Sequence, residues 1–183
     1  MHPIVILNRL VFGGLGLVFS LVFFVLLATI AAAAPIDTDL PADFSLPVGH
    51  HAIFSAPASG DAIYECGAAG DGYAWQLKGV SAKLLDSDGH LFATQNDVSS
   101  WLAIDGSQIS GRVAKSTETP RYGDALYTIT SNSSGGVFSQ ISDVVRDHVT
   151  GGQPPAQACD RSELHRSVRV PFTADYIFFH AES

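Results

Sequence analysis

The sequence predicts an all-β fold: a single antiparallel β-sandwich or flattened β-barrel over residues 50–183, behind an N-terminal apolar segment. Three observations carry this. Beyond residue 50, apolar residues recur at a period near two, which places alternate side chains on one face of a strand. Turn signals recur every 8 to 12 residues, the spacing of short antiparallel strands. No apolar stripe of period 3.6 persists over twelve residues after the leader.

The elements follow in order. Residues 34–49 read as an extended arm or linker, because Pro35, Pro41 and Pro47 alternate with Asp37, Asp39 and Asp43. Asp88-Gly89 joins a strand at 81–86 to one at 90–94, and Asp105-Gly106 joins 100–104 to 108–114. Asp-Gly suits hairpins because both positions tolerate positive φ. Ser133-Ser134-Gly135-Gly136 separates 126–130 from a strand-like run at 137–149, where β-branched Val144, Val145 and Val149 favour strand over helix. Gly151-Gly152-Gln153-Pro154-Pro155 is a break before Cys159. The final run, 168–180, carries Val170, Phe172, Ala174, Tyr176 and Phe178 on one parity and predicts a long half-buried closing strand.

Compartment comes from the first residues. Arg9 precedes 21 uncharged residues from Leu10 to Ile30, and Ala31–Ala34 supply small residues for signal-peptidase cleavage, expected after Ala33. The same stretch rises about 31 Å as a helix, so an uncleaved membrane anchor is the alternative for residues 1–33. Either way the positive charge keeps the N-terminus inside and the domain is exported, periplasmic or extracellular. Membrane contact is expected only through this segment, and only if it stays uncleaved.

Without the leader, nine Lys/Arg face 18 Asp/Glu, a net charge near −9. That excludes nucleic acid and anionic surfaces as expected partners, since both need positive potential. Cys66 and Cys159 form an even pair outside the cytoplasm and are expected to oxidise. Closing the long loop between them constrains the unfolded chain by roughly 4 to 5 kcal/mol.

Sites are harder to read. Asp105-Gly106-Ser107 invites a nucleophile reading, but no Gly-x-Ser-x-Gly elbow or following helix accompanies it. His50, His51, His90, His148, His165 and His180 lack H-x-H or H-x-x-x-H spacing, and Asp86-Ser87-Asp88-Gly89 lacks the closing glutamate of a calcium loop. No metal or other cofactor is expected. Trp75 alternates with Tyr73 and Leu77 and reads as core, whereas Trp101, next to a polar loop, is the better candidate for binding. Arg146 is expected to pair with a carboxylate such as Asp175. Asn132-Ser133-Ser134 has the form of a glycosylation sequon.

Several blocks, taken together, resemble a known family. They are Ile63-Tyr64-x-Cys66, Trp75-x-Leu77-x-Gly79, Trp101-x-x-x-Asp105-Gly106-Ser107, Arg146 ahead of Gly151-Gly152 and Cys159-Asp160, and Val170-Pro171-Phe172-Thr173-Ala174-Asp175-Tyr176. In this order they are similar to the domain of unknown function 3455, found in exported bacterial and fungal proteins, over residues 47–180. The resemblance brings no activity with it. It departs from the family pattern at Gln95, where members carry histidine, and at Val98-Ser99, where they carry Gly-Pro; Ala62 and Val80 replace a Gln and a Pro. Chemistry resting on that histidine is not expected here.

The expectation is therefore a non-catalytic exported β-domain that binds a small molecule, a glycan or an envelope partner, with Trp101, Asp105, Ser107 and Arg146 as ligand-binding candidates. A hydrolase-type enzyme built around Asp105 and Ser107, and a purely structural envelope protein, are the competing classes.

Overall fold

A computed structural model describes residues 40–41, 43–117 and 122–182. The chain divides into two compact units, Met1–Ala34 and Pro35–Ser183, and every described residue belongs to the second. The leader and the first part of the arm lie outside the described residues.

Eight antiparallel strands follow one another around a closed barrel: β1 His50–Ala69, β2 Gly72–Leu85, β3 Leu91–Asp97, β4 Ser100–Ala103, β5 Gln108–Ser116, β6 Ala125–Asn132, β7 Asp143–Gly151 and β8 Ser167–Ala181. Each pairs with its sequence neighbours, and β8 returns to β1 through a register running from His50↔Ala181 to Glu65↔Ser167. Of the two architectures expected, the structure adopts the barrel, which pairs the edges a sandwich leaves open. Alternation sends Ala56, Ala58, Ala62, Leu84, Ala174 and Tyr176 into the lumen, while Ser59, Lys83, Arg112, Arg169 and Thr173 face solvent.

The lumen is filled by matching small residues to large ones. Alanines on β1, β2, β3 and β8 (Ala56, Ala58, Ala62, Ala82, Ala93, Ala174) leave room for Tyr64, Trp101, Tyr122, Tyr127 and Tyr176, none more than 1% exposed. Such pairing is how a small eight-stranded barrel accommodates large rings inside. Gly60 sits at a close approach of β1 to β2: a Cβ there would lie 2.2 Å from the Ser81 carbonyl oxygen. Phe54, Phe92, Phe138 and Phe178 close one mouth, with Phe54 stacked on Phe178 at 4.6 Å and Phe92 edge-on to Phe54 at 5.0 Å. The other mouth lies beneath the β7–β8 connection, where Cys66 and Cys159 are bonded, with Cα atoms 6.0 Å apart and a sequence separation of 93. The expected disulfide is present.

One expectation needs correction. The strand expected at 137–149 begins only at Asp143, and 137–140 is a turn. Asn132 Nδ2 donates to the Phe138 and Ile141 carbonyls at 3.0 and 2.7 Å, and Asp105 Oδ2 accepts from the Val137 N–H at 2.8 Å. These contacts satisfy backbone groups that a strand ladder would otherwise use, and they drive Phe138 into the mouth. They also occupy the amide of the sequon Asn132. The arm is docked on the barrel where described. Phe44, 1% exposed, packs with Leu40 and Leu46 on an outward apolar patch of Leu126, Val145, Ile177 and Phe179. The Lys115 ammonium holds the arm by donating to the Asp43 carbonyl at 2.8 Å.

Candidate functional site

Arg146 lies on the lumen side of β7, opposite Ala125 of β6 and Tyr176 of β8. It is 4% exposed. Its Nε and Nη2 donate to the Gly123 carbonyl at 3.0 and 2.6 Å, and Nη1 donates to the Tyr127 hydroxyl at 2.5 Å. The guanidinium carbon stands 3.8 Å from the centroid of the Tyr122 ring, a cation–π contact in a desolvated setting. The expected pairing of Arg146 with Asp175 does not form. Strand parity is the reason: Asp175 sits opposite Asp147 on the outer wall, and its carboxylate lies 3.4 Å from His148. Among the described residues no carboxylate touches Arg146.

A second part of the cluster runs across the lumen. Tyr176 donates to Gln95 Oε1 at 2.5 Å, and Gln95 Nε2 donates to the Val98 carbonyl at 2.8 Å. The Tyr122 and Tyr176 hydroxyls are 3.4 Å apart. Trp101 meets Tyr127 edge-on at 5.1 Å and Tyr176 at 6.2 Å. Its indole nitrogen is buried without a hydrogen-bond partner among the described residues, and so is Gln153 Oε1. Burial raises the pKa of Tyr122, Tyr127 and Tyr176, so these phenols stay protonated at neutral pH. Burial opposes the charge on Arg146, but the oxygens of Tyr127, Tyr176 and Tyr122 outweigh it and hold its pKa above the ordinary value. The lumen therefore contains a fixed cation ringed by neutral hydroxyls.

The structure brings Trp101 and Arg146 together through Tyr127 and leaves Asp105 and Ser107 apart, at the β4–β5 turn. There Asp105 Oδ1 accepts from the Ser107 hydroxyl at 2.6 Å and from the Ser107 N–H at 2.9 Å. The Ser107 hydroxyl oxygen in turn accepts from the Phe138 N–H at 3.3 Å. Those bonds, the Ser107 hydroxyl first and the backbone N–H groups next, lower the pKa of Asp105. With its proton donated to a carboxylate and no histidine hydrogen-bonded to it among the described residues, Ser107 latches the turn to the 136–138 loop.

Both tryptophans pack on the core. Trp101 is in the core, 1% exposed, while Trp75 is half-buried at the disulfide-bearing mouth and donates to the Gln157 carbonyl at 2.9 Å. Tyr64, Tyr122, Tyr127 and Tyr176 are likewise inside, so these rings offer no outer face to a sugar. Sequence reasoning did not single out Tyr127 or Gln95 as site residues. A signal existed for Gln95: it continues the inward parity of Ala93 and so had to be a buried amide. Gln95 therefore occupies a lumen position.

Two outer clusters complete the inventory. Asp86, Asp88 and His90 place ligand-type atoms within 4.8 Å of one another on the exposed β2–β3 turn. Asp86 Oδ1 already accepts the Asp88 and His90 N–H groups, so the turn itself accounts for the cluster. His148 has a φ of 52° at the bulge in β7, beside an open groove of about 300 Å³ bordered by Asp175, Ser59 and Leu85.

Fold and lumen together define a closed, eight-stranded up-and-down barrel whose interior is polar on one side. Residues 87–180 match the family described as protein of unknown function (DUF3455), and the chain belongs to that family. The match takes in β3–β7 and most of β8, including Gln95, Trp101 and Arg146. No curated protein and no solved structure matches the chain.

Proposed function

We propose that the chain is an exported, non-catalytic barrel that binds a small molecule inside its lumen. One observation carries this reading: Arg146, a buried cation, shares the lumen with the Trp101 indole N–H, which is buried with no hydrogen-bond partner among the described residues. Buried polar groups without partners cost free energy and are kept where something else satisfies them. Placement on rigid strands suits binding, because a site held by the ladder is preorganised. Export rests on the leader, and the Cys66–Cys159 bond is consistent with an oxidising compartment.

The test is a thermal-shift screen of the full chain against a small-molecule library, repeated with Trp101→Phe. Compounds that raise the melting temperature of the wild type, and raise it less in the variant, are expected. Hits that act equally on both proteins, or no hits at all, would refute lumen binding. Cell fractionation tests the address, with recovery outside the cytoplasm expected.

A further inference from the structure

The arm is fastened beside β1 by a histidine that has two acceptors and, when neutral, one proton to offer them. Pro47-Val48-Gly49-His50 turns the arm into β1. The His50 N–H donates to the Pro47 carbonyl at 3.3 Å, and Gly49, third residue of the turn, takes a φ of 91°. The His50 ring then lies over the outer wall. Its Nδ1 is 3.0 Å from the same Pro47 carbonyl oxygen, and its Nε2 is 3.2 Å from Oδ2 of Asp143, the first residue of β7. Both side chains are largely covered, the histidine 17% and the aspartate 9% exposed.

Neither acceptor can return a hydrogen bond. A carbonyl and a carboxylate offer only lone pairs, whereas a neutral imidazole carries one N–H and one lone pair. With the proton on Nδ1, a bare Nε2 faces the carboxylate. With it on Nε2, a bare Nδ1 faces the carbonyl. One contact is repulsive in either tautomer, and in partly covered surroundings water relieves little of it. One further proton removes the conflict, because an imidazolium presents N–H groups on both sides and pairs its charge with Asp143. Placed on the carboxylate instead, the same proton satisfies the same contacts, so the requirement belongs to the pair.

That proton bears on what covers the wall. His50 and Ala52 share a strand face by parity, and Ala52 and Asp143 both pair with Phe179. Ala52 and Phe179 belong to the apolar patch that Phe44, Leu40 and Leu46 cover. The histidine therefore fastens the end of the arm nearest β1, while Lys115 holds the Asp43 end. The other ionisable groups here are His51, His180 and Glu182. His51 pairs with His180 on the opposite strand face, its Nε2 lies 3.4 Å from Glu182, and His180 Nδ1 lies 2.9 Å from the Gln140 carbonyl.

We propose that His50 and Asp143 form a proton-operated clamp on the arm. While the pair carries its extra proton, the arm is held against β6, β7 and β8. As pH rises through the range of about 5 to 8 in which histidines lose their charge, the arm opens more readily and uncovers Leu126, Val145, Ile177 and Phe179. The clamp is separate from the lumen and does not depend on what the barrel binds.

Hydrogen exchange of the full chain reads the opening of the arm, and comparing proteins at one pH cancels the pH dependence of the exchange chemistry itself. In His50→Gln the amides of residues 43–46 should exchange about tenfold faster than in wild type near pH 5.5, the effect of losing one charge-assisted hydrogen bond. Near pH 8.5 the two should agree within about twofold. Asp143→Asn should show the same pattern and serves if the His50 variant fails to fold. His51→Gln should match wild type at both pH values. Strand β4, which pairs only with β3 and β5, should exchange alike in every protein. Ratios to wild type that do not change with pH in the two clamp variants would overturn the clamp. Loss of the pH dependence in His51→Gln would overturn it too, by moving the switch to the other face.

Discussion

Replacing Phe44 with alanine asks whether the arm is part of the folded domain or an ornament on it. Phe44 is 1% exposed and covers Leu126, Val145, Ile177 and Phe179 on the outer wall of β6, β7 and β8. Deleting a buried phenylalanine side chain costs about 3 to 5 kcal/mol when the cavity cannot collapse. The arm enters β1 directly but lies outside the barrel, so part of the loss can be relieved by its detachment, and the lower end applies. At about 2 to 4 °C per kcal/mol for a domain of this size, the melting temperature should fall by roughly 6 to 12 °C. Differential scanning calorimetry of the full chain measures it. Asp43→Ala is the control, because Lys115 uses the Asp43 backbone carbonyl and not its side chain; it should stay within about 0.5 kcal/mol of wild type. A double-mutant cycle with Val145→Ala should give a coupling of at least about 0.5 kcal/mol. A fall below about 2 °C for Phe44→Ala, with additive behaviour in the cycle, would show that the arm does not hold the wall.

Arg146→Ala removes three hydrogen bonds from a charged group and a stacking contact; it should cost about 3 kcal/mol, whereas exposed Arg161→Ala should cost less than about 0.5 kcal/mol, and equal melting temperatures would refute the difference. Cys66→Ser with Cys159→Ser should lower stability by about 2 to 5 kcal/mol, and thiol titration of the denatured, unreduced wild type should find none; two free thiols would rule out the bond. Asp105 has a lowered folded pKa, so its contribution is present above the unfolded value of about 3.9 and is lost as pH falls through the lower folded value. Asp105→Asn should therefore be less stable than wild type at pH 7, with the gap closing in acid unfolding curves below about pH 4; a gap that stays constant to pH 2 would contradict the latch.

Local chemistry made much of the barrel readable. The hairpins at Asp88-Gly89 and Asp105-Gly106 need only two residues to declare themselves, and the parity of Phe172, Ala174, Tyr176 and Phe178 fixed a face of β8 before any partner was known. Closure was not readable, because the β1–β8 register joins residues more than a hundred positions apart and leaves no local trace. The 137–142 turn was misread for the same reason: its valine and phenylalanine favour strand, and the atoms that bend it belong to Asp105 and Asn132. Arg146 was recognised but pointed the wrong way. Valines occupy both faces of β7, since the arm buries the outer one, so alternation could not tell lumen from wall. Trp101 stands next to a polar loop in the sequence, and its burial comes from Tyr127 and Tyr176, far away in the chain.

The pairing of the first strand with the last has a consequence for biosynthesis. A chain synthesised N-terminus first has β1 available long before β8, and for that interval β1 exposes backbone donors and acceptors that only β8 can occupy. The ring cannot shut until β8 has been made. A stop codon a dozen residues early would leave two unsatisfied edges on every molecule, each a template for the other, and fibrous or amorphous deposits would be the expected product.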